Sequence, residues 1–262
     1  GIIKKIKDER VQYIKHASNQ GLIATLNEGV ELATGEYLIR MDADDVAHPV
    51  RFEKQIAFMD ANLGIAISGT GFSVIGSDYT IKHPENAEEC RIKLLQNTVL
   101  AHPSVIIRRE AIIKNKLRFD DKALHAEDYK LWTDAAIADL KIANLPDILM
   151  KYRIHNGQIS TLARKQQRQT AQQIKLAYAA YFFGRLLVGK STLYLNLVDL
   201  CIKRFADLKS ARRLVQQLKV ENQEKKYFDK KVFNSFLDGL LIAAASNIYL
   251  NYADSNLSVL LQ

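Results

Sequence analysis

Gly35-Glu36-Tyr37-Leu38-Ile39-Arg40-Met41-Asp42-Ala43-Asp44-Asp45 carries an apolar strand straight into three carboxylates within four positions. Ionised acids this close repel one another, so their pKa values climb unless a metal ion or cationic neighbours offset the charge. Gly35 reads as the stop of a helix, Tyr37-Leu38-Ile39 as a buried strand and Pro49 as the start of the next helix. Acids just beyond the carboxyl end of a strand stand where open α/β sheets collect ligands. Oxygen donors alone suit Mg²⁺ or Mn²⁺. The plainer alternative has Asp45 capping the following helix, with Asp42 and Asp44 as solvated loop acids. Taken alone, D-x-D-D does not separate the two readings. A calcium EF-hand is disfavoured because its glycine and terminal Glu are missing.

Outward from this stretch, helical and extended patterns alternate as in an α/β layer. Helix 21–33 places Leu22, Leu26, Val30 and Ala33 on one face, and strand 36–41, helix 49–61 and strand 64–70 follow. Residues 72–83 read as loosely extended, 87–96 as helix, 104–108 as strand and 127–138 as helix. Residues 142–143 and 148–152 read as extended. From Thr161 strand signals fade, and 163–187, 191–205, 207–222 and 228–252 read as helices. A soft boundary falls near 160, giving regions 1–160 and 161–262.

Five ordered motifs carry a family resemblance. Asn19-Gln20-Gly21-Leu22 through Asn27-Glu28-Gly29, with Ala33-Thr34-Gly35-Glu36-Tyr37 and Met41-Asp42-Ala43-Asp44-Asp45, resembles the nucleotide-sugar core of family 2 glycosyltransferases. Pro49 to Gln55 resembles the helix after the family's DxD, and Ala101-His102-Pro103-Ser104 to Arg109 its acceptor-side strand. Ala126-Glu127-Asp128-Tyr129 resembles its ED motif, and Tyr152-Arg153-Ile154-His155-Asn156 with Ser160 its Y-R-x-H segment. The resemblance covers about residues 1–161. It implies a GT-A-like, Rossmann-related mixed sheet with flanking helices, followed here by an all-helical C-terminal region.

The resemblance also implies roles. Asp42 would contact the ribose and the metal shell, Asp44 would be the principal ligand of Mn²⁺ or Mg²⁺, and His155 would complete that shell. Arg153 would add charge at the diphosphate. Asn19, Gly21, Asn27 and Ala43 would complete the nucleotide-sugar set, with Asn19 also explicable as a helix cap. Asp128 would be the base that deprotonates the acceptor hydroxyl, with Glu127 as helper, in an inverting transfer. Read as plain structure, acids in a first helical turn simply favour the helix dipole. His102 reads as a buried, hydrogen-bonded histidine in preference to an acceptor contact, and Trp132 as core. His16, His48, His83 and His125 show no metal-ligand spacing.

Family members begin with a strand, a helix and a second strand that holds the nucleotide base. Here residues 1–14 read as a helix end and then a strand, so the chain is expected to be an N-terminally truncated piece with an unpaired sheet edge.

Composition narrows the partners. Residues 1–161 hold 21 Lys/Arg against 22 Asp/Glu, and residues 162–262 hold 16 against 7, so the excess positive charge is C-terminal. Basic pairs alternating there with apolar residues predict helices with one basic face, suited equally to an anionic membrane surface or to plain solvation or contact with a partner chain. No stretch is expected to approach the roughly 20 apolar residues of a membrane helix. Cys90 and Cys201 read as buried thiols of a reducing compartment. Nucleic acid is not an expected partner, because no recognition motif accompanies the charge.

The leading expectation is a metal-dependent inverting glycosyltransferase, cytoplasmic or peripheral at the cytoplasmic face of the membrane. Its donor is a nucleoside-diphosphate sugar, a UDP-sugar by preference. Its acceptor is a polysaccharide, lipopolysaccharide or lipid-linked glycan. The alternative is a degenerate nucleotide-sugar-binding or interaction module without catalysis. A glycoside hydrolase with paired carboxylates ranks third.

Overall fold

In the computed structural model, which describes residues 3–154 and 163–260, the alternating segments become helices and strands in the expected order. They are α1 (Leu22–Leu32), β1 (Tyr37–Ile39), β2 (Val46–Ala47), α2 (Arg51–Ala61), β3 (Ile65–Val74), β4 (Thr80–Ile81), α3 (Ala87–Lys93), β5 (Ile106–Arg108), α4 (Arg109–Lys114), α5 (Glu127–Ile137) and β6 (Lys141–Tyr152). The sheet runs β1-β5-β3-β6-β2, with β4 beside β3. β3 and β6 are parallel from Ile65 opposite Lys141 to Val74 opposite Tyr152, with bulges between. The other pairings are antiparallel. Two stretches expected as separate extended pieces, 142–143 and 148–152, are therefore one bulged strand.

β3 is apolar and small-residue rich because it is covered on both faces. A Cβ at Gly69 would lie 2.7 Å from Asn144 Oδ1. That space lets the buried Asn144 amide donate to the carbonyls of Pro84 (2.7 Å) and Val99 (3.0 Å), pinning two loops to the sheet centre. The strand expected within residues 1–14 does not form. A 3₁₀ turn spans Ile3–Lys5, and Val11, Tyr13 and Ile14 stay 42–50% exposed. β1 pairs only with β5 among the described residues.

The C-terminal region is helical: α6 (Arg164–Leu187), α7 (Ser191–Val198), α8 (Phe205–Lys225) and α9 (Lys230–Leu260). The helix expected over 191–205 stops at Val198, because Leu200 adopts φ 55° and Arg204 is extended before α8. One continuous cluster of buried side chains runs from Ile23 through the sheet to Ile248. The Tyr178 and Tyr194 hydroxyls donate to the carbonyls of Arg91 (3.0 Å) and Leu95 (2.7 Å). Arg91 in turn sits over the Phe182 and Phe228 rings at 5.5 and 5.1 Å. These contacts fasten the helices to α3.

Against expectation, Lys230–Leu250 within α9 is long and apolar enough to cross a membrane, with mean hydropathy 1.2. Its Phe233, Leu237, Leu240, Ala244 and Ile248 stripe is buried in the core, at the spacing of one helix face. Ile242, Tyr249 and Leu250 face out, 58–70% exposed. Cys90 is buried as expected and its thiol is pushed up to about 12 by desolvation; Cys201 is only partly buried.

Candidate active site

The end of β1 leads directly into the acid loop. Arg40 N–H donates to the Val105 carbonyl at 3.1 Å, and the Arg40 guanidinium grips Asp42 with two nitrogens, one at 2.7 Å from Oδ2. A neighbouring cation thus supplies part of the charge compensation that the crowded acids require. Asp42 and Asp44 both line a cleft of about 560 Å³. Asp45 turns the other way and is buried. Its Oδ1 accepts the Arg153 backbone N–H at 2.9 Å. Desolvation pushes its carboxyl above the usual range, opposed by the Arg153 N–H and reinforced by Asp42 and Asp44. Asp45 therefore caps no helix; Val50 is the N-cap of α2, with no side-chain cap bond. Arg153 also donates Nε to the Asp44 carbonyl at 2.9 Å, so the end of β6 straps the acid loop from behind.

Beneath the loop lies a buried polar brace. Arg51 is fully buried and donates Nη2 to the Arg40 carbonyl (2.9 Å) and Nε to Gln55 Oε1 (2.8 Å). Gln55 passes Nε2 to the Ser104 carbonyl at 2.8 Å, and Ser104 Oγ accepts the Thr70 N–H at 3.0 Å. α2, the exit of β1, the His102–Ser104 turn and β3 are linked in one chain of bonds.

Glu127 and Asp128 line the same cleft, in the first turn of α5. The turn before them is unusual: His125 has φ 68°, a left-handed conformation disfavoured for a side chain of its size. Gln167 of α6 donates Nε2 to the His125 carbonyl at 2.9 Å and also lines the cleft, so the helical region helps to hold this turn. Asp128 Oδ1 accepts the Tyr129 N–H at 2.7 Å. Its carboxyl is pushed up to about 6, chiefly by desolvation, with Glu127 adding to the rise and Arg40 opposing it.

His102 lines the cleft as well. Its ring is edge-on to Trp132 (6.1 Å between centroids) and tilted against Phe119 (5.6 Å). Contrary to the expected hydrogen bond, its buried Nε2 has no partner among the described residues. Burial, helped by Arg40, pushes its pKa down to about 3. Trp132 is fully buried, as expected of a core residue.

The remaining expected residues scatter. Asn19 Oδ1 accepts the Gly21 N–H at 2.8 Å, which orders the entry to α1, although Gly21, at φ 82°, is the N-cap itself. Asn27 departs from the nucleotide contact expected of it: its amide exchanges two bonds with the Phe119 backbone, at 2.9 and 3.0 Å. Ala43 is exposed in the acid loop. His155 and Ser160 lie outside the described residues. His83, His125, Phe72 and Gln167 line the cleft, and nothing in their spacing announces it; the left-handed His125 turn is visible only in the backbone.

Among the described residues no three His, Cys, Asp or Glu side chains gather as a metal nest. Asp42 and Asp44 are nevertheless two hard oxygen donors facing one cleft from one loop. That set suits a cation which takes its other ligands from phosphate and water.

Residues 1–118 match the family described as glycosyl transferase family 2. At 31% identity, 68% of the chain aligns with 59% of an uncharacterized glycosyltransferase of Haemophilus influenzae. At 31% identity, 54% of the chain aligns with 54% of the amylovoran biosynthesis glycosyltransferase AmsE of Erwinia amylovora. The chain thus spans a little over half the length of these relatives. The S. aureus TarS 1-349 structure, solved in complex with UDP-GlcNAc, matches 96% of this chain and 76% of its own, with TM-score 0.55 and 16% identity. That likeness is one of fold, the GT-A arrangement of a mixed sheet with flanking helices. The first 118 residues of this chain thus match glycosyl transferase family 2, and the sheet they enter shares the fold of that solved structure.

Proposed function

We propose that the chain is the working part of a metal-dependent, inverting glycosyltransferase of polysaccharide or O-antigen type assembly, taking its sugar from a UDP-sugar. One observation carries the reading: Asp42 and Asp44 line the same cleft of about 560 Å³ as Glu127 and Asp128. Asp44 and Asp42 would hold Mn²⁺ or Mg²⁺, which when bound neutralises the departing diphosphate. Arg40 fixes the Asp42 carboxylate, and Arg153 fixes the backbone of Asp44. In the same cleft the Asp128 carboxylate takes the proton of the acceptor hydroxyl as that oxygen attacks the anomeric carbon from the side opposite the diphosphate, which inverts the centre. The alternative, a nucleotide-sugar binder without catalysis, predicts binding and no turnover.

Calorimetry with UDP and Mn²⁺ tests the donor end. Binding is expected to need the cation and to weaken at least about 10-fold in Asp44→Ala, as loss of a metal contact implies. Equal affinity in both proteins would remove Asp44 from the donor site. Release of UDP from a UDP-sugar in the presence of acceptor then separates the enzyme from the silent binder.

The C-terminal helices extend this reading to an anionic membrane. α8 exposes Phe205, Lys209, Arg212 and Arg213, and the spacing sets Phe205, Lys209 and Arg212 on one stripe. The four-residue connection 226–229 and the Lys219–Asp238 ion pair at 2.6 Å make α8 and α9 an antiparallel hairpin. Tyr249 and Leu250 therefore lie at the Phe205 end. Aromatic and apolar side chains beside cations that have no acid partner among the described residues suit a lipid interface. Each cation near such a surface contributes about 1 kcal/mol, so Lys209→Glu with Arg212→Glu and Arg213→Glu is expected to weaken sedimentation with phosphatidylserine vesicles about 100-fold or more. Equal sedimentation with neutral vesicles would sink the idea.

A further inference from the structure

Residues 123–126, directly ahead of Glu127 and Asp128, form a type II turn. The Ala126 N–H donates to the Ala123 carbonyl at 2.9 Å, Leu124 has φ −51° and ψ 127°, and His125 has φ 68°. The third position of such a turn favours glycine or asparagine, which enter the left-handed region at little cost. A histidine there is strained, and strain of this kind persists where neighbouring groups hold the backbone in place. The neighbour here is Gln167, whose Nε2 donates to the His125 carbonyl at 2.9 Å.

Gln167 belongs to α6, beyond the residues 1–118 that match the family. It precedes Ile174 by seven residues and Tyr178 by eleven, a spacing that sets all three on one helix face. Ile174 and Tyr178 are buried, so Gln167 is the polar end of an inward stripe. α6 is itself fastened: Gln172 Nε2 and Lys175 Nζ both donate to the Asp199 carboxylate, at 2.7 and 2.5 Å, and the Tyr178 hydroxyl bonds to the Arg91 carbonyl. A tether from so fixed a helix keeps the turn in one place. Glu127 and Asp128 follow His125 by two and three residues, and all three line one cleft with Gln167.

Resting on the reading of Asp128 as the base, we propose that Gln167 is a positioning residue: by holding the left-handed His125 turn it fixes where the Glu127 and Asp128 carboxyls stand in the cleft. The helical region is then part of the catalytic unit and not an appendage to it. A displacement of about 1 Å at a reacting group can cost about 100-fold in rate. A slack turn would therefore slow transfer while leaving the donor to Asp42 and Asp44, which stand on another loop.

The test follows Asp128 by two routes in the whole chain. Gln167→Met keeps the length of the side chain and removes its amide. Carbon-13 NMR of labelled aspartate side chains reads the Asp128 titration, which burial raises, with Glu127 adding to the rise and Arg40 opposing it. With the turn released the carboxyl meets more water, and its midpoint is expected to fall from about 6 toward the ordinary carboxylate range. In turnover the same variant is expected to lose about 10- to 100-fold in kcat while the donor KM stays within about 2-fold. Relieving the strain supplies the rescue: in a His125→Gly background, where the backbone enters the left-handed region freely, Gln167→Met should cost at most about 3-fold. Gln167→Ala is the second variant should Met fail to fold. A folded variant whose Asp128 titration stays in place, or whose kcat does, would overturn the proposal, and so would the same loss in the His125→Gly background. A titration that moves in a chain which, with Gln167 intact, transfers no sugar would uphold the tether and remove the glycosyltransferase reading instead.

Discussion

Asp128→Asn is expected to lower kcat by about 10²- to 10⁴-fold, the usual contribution of a positioned general base, while UDP and Mn²⁺ bind as before. The substitution keeps shape and keeps an oxygen for the Tyr129 N–H, 2.7 Å away; it removes only the ability to take a proton. A pH profile sharpens the test. With its carboxyl pushed up to about 6, the base is protonated and idle in acid. kcat/KM should rise about tenfold per pH unit below 6 and level off above it. The groups that set this value are Glu127, which raises it, and Arg40, which lowers it, on top of desolvation. In the Asn variant the acid limb should vanish from whatever activity remains. Stability should move the opposite way. A raised carboxyl pKa means that the folded state holds its proton more tightly than the unfolded state does. Folding is therefore favoured in acid and weakened as pH climbs through about 6. Asn escapes that loss, so the variant should match or exceed the parent in urea denaturation at pH 8, by up to about 3 kcal/mol. An inactive but sturdier protein marks a functional strain. A less stable one with the acid limb intact would make Asp128 a structural acid.

Much of this arrangement is legible in the chain, because local rules and global fold agree in its first half. The Tyr37 to Ile39 strand, the acids after it and the acids opening α5 follow from spacing and apolar pattern, and the fold brings Asp42 and Asp44 to one cleft with Glu127 and Asp128. What escapes is whatever depends on side chains meeting across long separations. Asp45 looks identical to its neighbours in sequence, yet it faces inward because the backbone of Arg153, 108 residues later, needs an acceptor. Asn27 sits on an amphipathic helix in the right place to face a nucleotide, but Phe119 presents a backbone N–H and carbonyl 92 residues away, and a planar amide satisfies both. His125 is hidden for another reason: its left-handed turn is imposed by packing and by Gln167 of α6, and no local propensity encodes it. The end of α7 at Val198 fails similarly, since the apolar pattern runs on through Ile202 while the backbone at Leu200 turns left-handed.

Arg51 exemplifies the same blindness at larger cost, and its replacement should have the greatest effect on stability. From sequence it is an ordinary cation in the first turn of a helix. In the fold it is fully buried, its pKa pushed down to about 10 by desolvation, with Arg40 adding to the fall and Asp45 opposing it. It is still charged at neutral pH, and the Arg40 carbonyl and Gln55 receive its protons. Arg51→Ala strands both acceptors in a cavity and should cost about 3 to 5 kcal/mol, the range for breaking a buried charged network. For a chain of this size that lowers Tm by roughly 6 to 20 °C. Arg51→Met fills the volume with an apolar chain and should recover part of the loss, because removing a buried charge is milder than leaving its partners in a void. Arg51→Lys should fall below Met if the fork matters, since an ammonium cannot reach the carbonyl and Gln55 in the same plane. Nucleotide binding is the decisive companion measurement. Arg51 holds the main chain at Arg40, and the Arg40 side chain holds Asp42, so a folded Arg51→Met protein should bind UDP and Mn²⁺ more weakly than the parent although residue 51 touches neither. Unchanged affinity in that variant would show that the acid loop keeps its shape without the brace, and would leave the buried guanidinium with a purely structural task.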